Sequence, residues 1–172
     1  MRRLLLALSL AGLILVPSTA AGQVYLGFQG NWSDRYDWGI GGRVTVDLTP
    51  KLIPLMIAGS YDYFWPGETL TRDYDYWAVN VNALFVQRVY GAGAQGYAQG
   101  YFGIGLNVAN PSVTIKEGGA KSSDTDLGLN LLAGTKYKTG RVAPYFDVGF
   151  TFGGAEHFKF TIGLDVALAR EF

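Results

Sequence analysis

The stretch FKFTIGLDVALAREF, residues 158–172, decides how the rest of the chain reads. Phe160, Ile162, Leu164, Val166, Leu168 and Phe172 share one parity; Thr161, Gly163, Asp165, Ala167, Ala169 and Glu171 share the other. Successive side chains of a strand point to opposite faces, so a period of two predicts a strand with one greasy and one small or polar face. Arg170 departs from the alternation at the edge, where a long cationic side chain snorkels into water. Which way the greasy face points, toward a core or toward lipid, then sets the fold.

The same parity runs through seven earlier segments, at residues 23–31, 38–49, 55–64, 74–86, 97–109, 126–137 and 143–153. In the first, Val24, Leu26 and Phe28 oppose Tyr25, Gly27 and Gln29; in the fifth, Phe102, Ile104, Leu106 and Val108 oppose Gln99, Tyr101, Gly103, Gly105 and Asn107. Connections such as TPKLIP, YKTGRV and GGAEH are short and rich in turn residues, which leaves no room for helices. Each segment is close to the roughly 9–11 residues that a tilted membrane-spanning strand needs.

Residues 1–22 carry Arg2 and Arg3, an apolar run from Leu4 to Val16, and small residues at Ser18, Ala20 and Ala21. That is the form of a secretory signal peptide cut near residues 20–22, which leaves 23–172 as one domain that works outside the cytoplasm. Removing the two arginines from 14 cations against 14 anions gives 12 − 14, or −2, for the mature chain. No basic footprint for nucleic acid remains. Without cysteine there is no disulfide framework, zinc–thiolate centre or thiol nucleophile.

Three features point the greasy face outward. The opposite face is built from Gly, Ala, Ser and Asn, with few of the Lys and Glu that water-facing strands carry. The apolar face offers about four large residues from every strand, too much for the interior of eight strands, which is only wide enough for side chains. The aromatics also gather at strand ends, as amphipathic rings do at membrane interfaces. Trp32, Tyr36, Trp38, Tyr61, Tyr63, Phe64, Trp65, Tyr74 and Trp77 mark one end, and Phe85, Tyr90, Tyr97, Tyr137 and Phe172 the other. The expected fold is all-β: a closed eight-stranded antiparallel up-and-down transmembrane barrel. A soluble lipocalin-like carrier, with the greasy face turned inward, is the competing arrangement.

The signal peptide, eight amphipathic strands and terminal Phe172 resemble the small eight-stranded outer-membrane barrels typified by the OmpA transmembrane domain and OmpX. The resemblance is architectural and spans residues 23–172. It implies a monomer in the outer membrane of a Gram-negative cell envelope, in contact with lipid and lipopolysaccharide, with both termini periplasmic. It also implies that the barrel-assembly machinery reads Phe172, with Leu168, Val166 and Leu164, as an insertion signal. Residues 32–37, 65–73, 110–123 and 154–158 are then outer loops, and Lys51, Arg88, Lys138 and Arg141 lie at periplasmic turns.

Candidate chemistry is sparse. GAGAQG, residues 91–96, fits a dinucleotide fingerprint, but a strand follows where a phosphate-binding helix is required, so it reads as a turn and implies no cofactor. His157 is the only histidine, and with a nearby serine it would suit a lipid A-modifying enzyme; EHFKF supplies no such hydroxyl, and a plain loop histidine is expected. DRYD, RDYD and SDTD lack the ordered ligand spacing of a calcium loop, so no metal site is assigned. Arg43, Asp47, Asp62, Lys136, Asp147 and Asp165 face the lumen by parity, where buried charges must pair. Asp62 or Asp165 is the expected partner of Arg43. A network that fills the barrel and a narrow ion path are the two readings of this set.

Overall fold

The computed structural model describes residues 22–49, 54–66, 72–89, 96–115, 121–153 and 156–168. Residues 1–21, expected as a signal segment, and Lys51, Tyr90, residues 91–95 of GAGAQG and Phe172 lie outside them. Nine strands occur among the described residues: β1 (Gln23–Ser33), β2 (Asp37–Asp47), β3 (Leu55–Phe64), β4 (Arg72–Val89), β5 (Tyr97–Ile115), β6 (Lys121–Ser123), β7 (Asp126–Lys138), β8 (Val142–Phe152) and β9 (His157–Ala167). Each long strand pairs antiparallel with its chain neighbour, and β9 returns to β1, so eight strands close a barrel in up-and-down order.

The ladder also fixes the stagger. From Gln23 it passes through Asp47, Met56, Leu84, Gly103, Leu132, Gly149 and Lys159 and re-enters β1 at Ser33, a shift of 33 − 23 = 10 residues. Strands in such a barrel are strongly tilted, and the closed ladder leaves no edge within the band it spans.

Burial alternates as the sequence does, but with the sign inverted relative to a water-soluble protein. Asp47, Asp62, Lys136 and Asp165 are fully buried, while Leu127 is 76% and Trp38 71% exposed. This inversion fits an apolar solvent around the barrel. It gives a direct prediction: Ile104→Arg, on the exposed face of β5, should cost about 2–4 kcal/mol in lipid vesicles. Urea unfolding checks this; on a water-facing surface the change would stay within about 0.5 kcal/mol.

Two strands outrun their expected ends. β4 begins at Arg72 and β5 continues to Ile115, where β6 pairs Ser112 with Ser123 and Thr114 with Lys121. The segment 110–123, expected as loop, is therefore partly a hairpin. In this extension Val113 and Ile115 still alternate with Ser112 and Thr114, and Ser112 is buried. At the opposite end Thr139 and Val142 close a tight turn, with Gly140 at φ 62°, a conformation that favours glycine.

Candidate functional site

Interior chemistry begins from the inward parity. Arg43 on β2 and Asp147 on β8 form an ion pair across the lumen at 2.7 Å. Lys136 on β7 pairs with Asp165 on β9, Lys138 with Asp47, and Lys159 with Asp62 at 2.9 Å. Among the described residues, four inward cations thus meet four inward carboxylates. The expected partner of Arg43 is corrected: Asp147 takes it, and Asp165 is reached only through Thr45, whose hydroxyl contacts both. Lys138, expected in or beside a periplasmic turn, is the last residue of β7, next to the Thr139–Val142 turn, with its side chain buried in the barrel. Lys138 and Lys159 were missed as interior groups, although each continues the inward parity of Lys136 and Thr161.

Asp62 is the hub of the loop-end half. It accepts hydrogen bonds from Gln29, Asn31 at 2.8 Å, Asn80 at 3.0 Å, Ser60 at 3.4 Å and the Lys159 ammonium. Asn107 and Asn130 donate to Asn80, and Thr151 donates to Asn130. Tyr145 links the halves: its hydroxyl donates to Gln29 at 2.7 Å, while the Arg43 guanidinium lies 4.4 Å from its ring centre. Tyr101 donates to Asp147 from the other side. Carboxylates as well hydrogen-bonded as Asp62 and Asp147 tolerate an interior that would otherwise expel them.

Glycines seat three of the four carboxylates. Asp165 lies across the ladder from Gly27, Asp62 from Gly41, and Asp147 from Gly134. A Cβ at any of these glycines would overlap the carboxylate oxygen. The acids therefore rest on bare Cα atoms, which brings them to the lumen wall and leaves space for long cations from the opposite side. Space remains for a cavity of about 40 Å³ lined by Gln29, Arg43, Ser60, Asn82, Asn130 and Asp147 among others. That is room for a few waters.

An aromatic cluster closes the loop end. The Ser33 hydroxyl accepts the Arg35 and Tyr36 amides, and Asp34 exchanges hydrogen bonds with Phe158 on β9. The turn, with Asp37 at φ 56°, folds Tyr36 over the mouth, where it stacks on Tyr76 with ring centres 3.7 Å apart. Phe64 and His157 complete the cluster. Tyr36 and Phe64, expected in the outer girdle, are thus interior packing. His157, expected in a loop, is the first residue of β9, 4% exposed, with three aromatic rings against it. Burial pushes the Tyr36 phenol up, partly offset by Arg35. Tyr36→Leu keeps the bulk and loses the stacking, so thermal unfolding should report about 0.5–1.5 kcal/mol of destabilisation.

Most of the other girdle residues lie on the outer surface or at the rims. Trp32, Trp38, Tyr61, Tyr63, Trp65 and Trp77 surround the loop end, and Phe85 and Tyr137 the opposite end. Tyr74 and Tyr97, also expected in the girdles, instead have the inward parity of Tyr76 and Gln99, and Tyr97 lies within reach of the buried Lys138. The loop acids make local bonds: Asp75 accepts the Tyr63 hydroxyl, and Asp124 accepts the Thr125 amide. No group of three or more His, Cys, Asp or Glu side chains arranged to hold a metal occurs among the described residues.

Neither a family model nor a curated protein matches the chain. Its fold matches solved barrels. Neisserial surface protein A is 17% identical, with a TM-score of 0.62 over 84% of this chain and 95% of that one. The N-terminal barrel domain of Pseudomonas aeruginosa OprF is 16% identical, with a TM-score of 0.63 over 86% and 98%. A major outer membrane protein of Thermus thermophilus is 12% identical, with a TM-score of 0.57 over 84% and 99%. The chain has the closed eight-stranded fold of small outer-membrane barrels, as the resemblance in the sequence implied.

Proposed function

We propose that this chain is an integral outer-membrane barrel with a structural or surface-interaction role, without enzymatic activity, whose lumen is filled by its polar network. The carrying observation is the inverted burial, with ionised pairs inside and Leu, Phe and Trp outside. Outer-leaflet lipid and lipopolysaccharide are its surroundings. In this orientation both termini are periplasmic, the aromatic lid and the β5–β6 hairpin face outward, and Phe172 with Leu168, Val166 and Leu164 serves as the assembly signal.

Against permeation stand the balanced charges, the small cavity and the clusters that pack both ends, including Met56, Leu84, Val86 and Tyr101 toward the periplasm. Against a lipid A-modifying role stands the enclosure of His157 by aromatic rings. The purified barrel should give small or absent conductance in planar bilayers, and its expression should leave lipid A mass unchanged. Large steady currents would reject the filled lumen. An added or lost acyl chain that disappears in His157→Ala would reject the non-enzymatic role.

A further inference from the structure

The 10-residue stagger spread over eight strands offsets points of equal height by about 1.25 residues per strand. On that measure Trp32, Trp38, Tyr63, Trp65 and Trp77, along β1 to β4, stand level with Val108, Leu127, Leu129, Phe152 and Phe158, along β5 to β9. The first arc holds all 4 tryptophans of the chain. The five positions named in the second are aliphatic or phenylalanine, with Leu127 and Leu129 among the most exposed residues of the barrel.

At the opposite end β1–β3 and β7 show the reverse. There Gln87 on β4 and Thr135 and Tyr137 on β7 point outward. Positions at similar height on β1, β2, β3 and β9 are Val24, Val46, Leu55, Ile57 and Val166. Amphipathic rings and polar side chains favour the headgroup level, whereas Leu, Val and Phe favour hydrocarbon. β1–β3, with aromatic rings at the loop end and aliphatic groups at the other, and β7, with leucines at the loop end and Thr135 and Tyr137 at the other, describe one inclined band.

We infer that the lipid-contact band is inclined to the barrel axis, so that the loop ends of β7–β9 sit in hydrocarbon at a height where β1–β4 meet headgroups. Orientation in a bilayer is set by such anchors, and the filled interior makes the barrel a rigid body that must tilt as a whole. The inference rests on the membrane reading above. The occupant of the Leu127–Phe152 surface is lipid acyl chain; a second copy or another protein seated there is the competing outcome.

The chain has no cysteine, so single nitroxide labels are unambiguous. Trp77→Cys, Leu127→Cys, Val46→Cys and Thr135→Cys, each refolded into dioleoylphosphatidylcholine vesicles, are compared for collision with dissolved oxygen and with a water-soluble nickel chelate. Labels at 127 and 46 should collide more with oxygen and less with nickel than those at 77 and 135. Equal depth within each level pair overturns the inclination. A label at 127 shielded from both agents overturns lipid contact in favour of a protein partner. Nickel access at all four positions rejects the membrane reading itself, which separates that failure from the failure of the tilt.

Discussion

Asp62→Ala is expected to destabilise the barrel by about 3–5 kcal/mol, because it leaves the Lys159 ammonium without its partner inside the lumen. The loss extends beyond one ion pair. Gln29, Asn31, Asn80 and Ser60 all direct donors at the same carboxylate, and each retains the cost of desolvation when the acceptor is removed. Urea unfolding in vesicles measures the effect. Adding Lys159→Met should recover part of it, since two apolar groups replace a stranded charge. A single-variant cost below about 1 kcal/mol, the range of an exposed pair, would mean that Asp62 is solvated and that the loop-end half of the network is not structural.

Gly134→Val should be comparably severe, for a steric reason. A Cβ at 134 would overlap the Asp147 carboxylate and lie 2.6 Å from the Phe146 carbonyl oxygen and 2.8 Å from the Tyr101 ring. The carbonyl belongs to the ladder and cannot move, so the carboxylate must leave the position from which it binds Arg43 and Tyr101. Overpacking of this kind costs roughly 1–3 kcal/mol, and disrupting the buried pair adds to it, so about 3 kcal/mol or more is expected. Gly30→Ala is the control: nothing lies within 4 Å of its Cβ position, and the change should stay within about 0.5 kcal/mol. If the two variants behaved alike, the seating of carboxylates on glycine would be incidental.

Strand identity and sidedness were legible because the environment on each side of the wall is uniform. Period-two alternation in 158–172 places Asp165 inward and Leu164 outward without knowledge of any neighbour. Partner choice was not legible. Arg43 meets Asp147 because the ladder and the stagger bring β2 and β8 to the same height across the lumen, and sequence spacing carries no trace of that. Lys138 could have been read inward from its parity with Lys136; its place beside a turn argued the other way. Tyr36 and Phe64 were misread for a related reason. Both lie at strand ends, where aromatics favour an interface, but a turn bonded to β9 through Asp34 carries Tyr36 inward and Phe64 has the parity of Asp62. The β5–β6 hairpin did leave a trace, Val113 and Ile115 alternating with Ser112 and Thr114, but the surrounding Asn, Pro, Gly and Ser residues read as loop.

The central claim is that this fold requires an apolar solvent around it. The measurement that tests it most directly is strand-type circular dichroism of residues 23–172, diluted from urea into plain buffer or into lipid vesicles. The predicted result is a strand spectrum and heat-modifiable electrophoretic mobility in vesicles, with aggregation or unfolded chain in buffer. A soluble, monomeric, strand-rich protein in buffer alone would contradict the account.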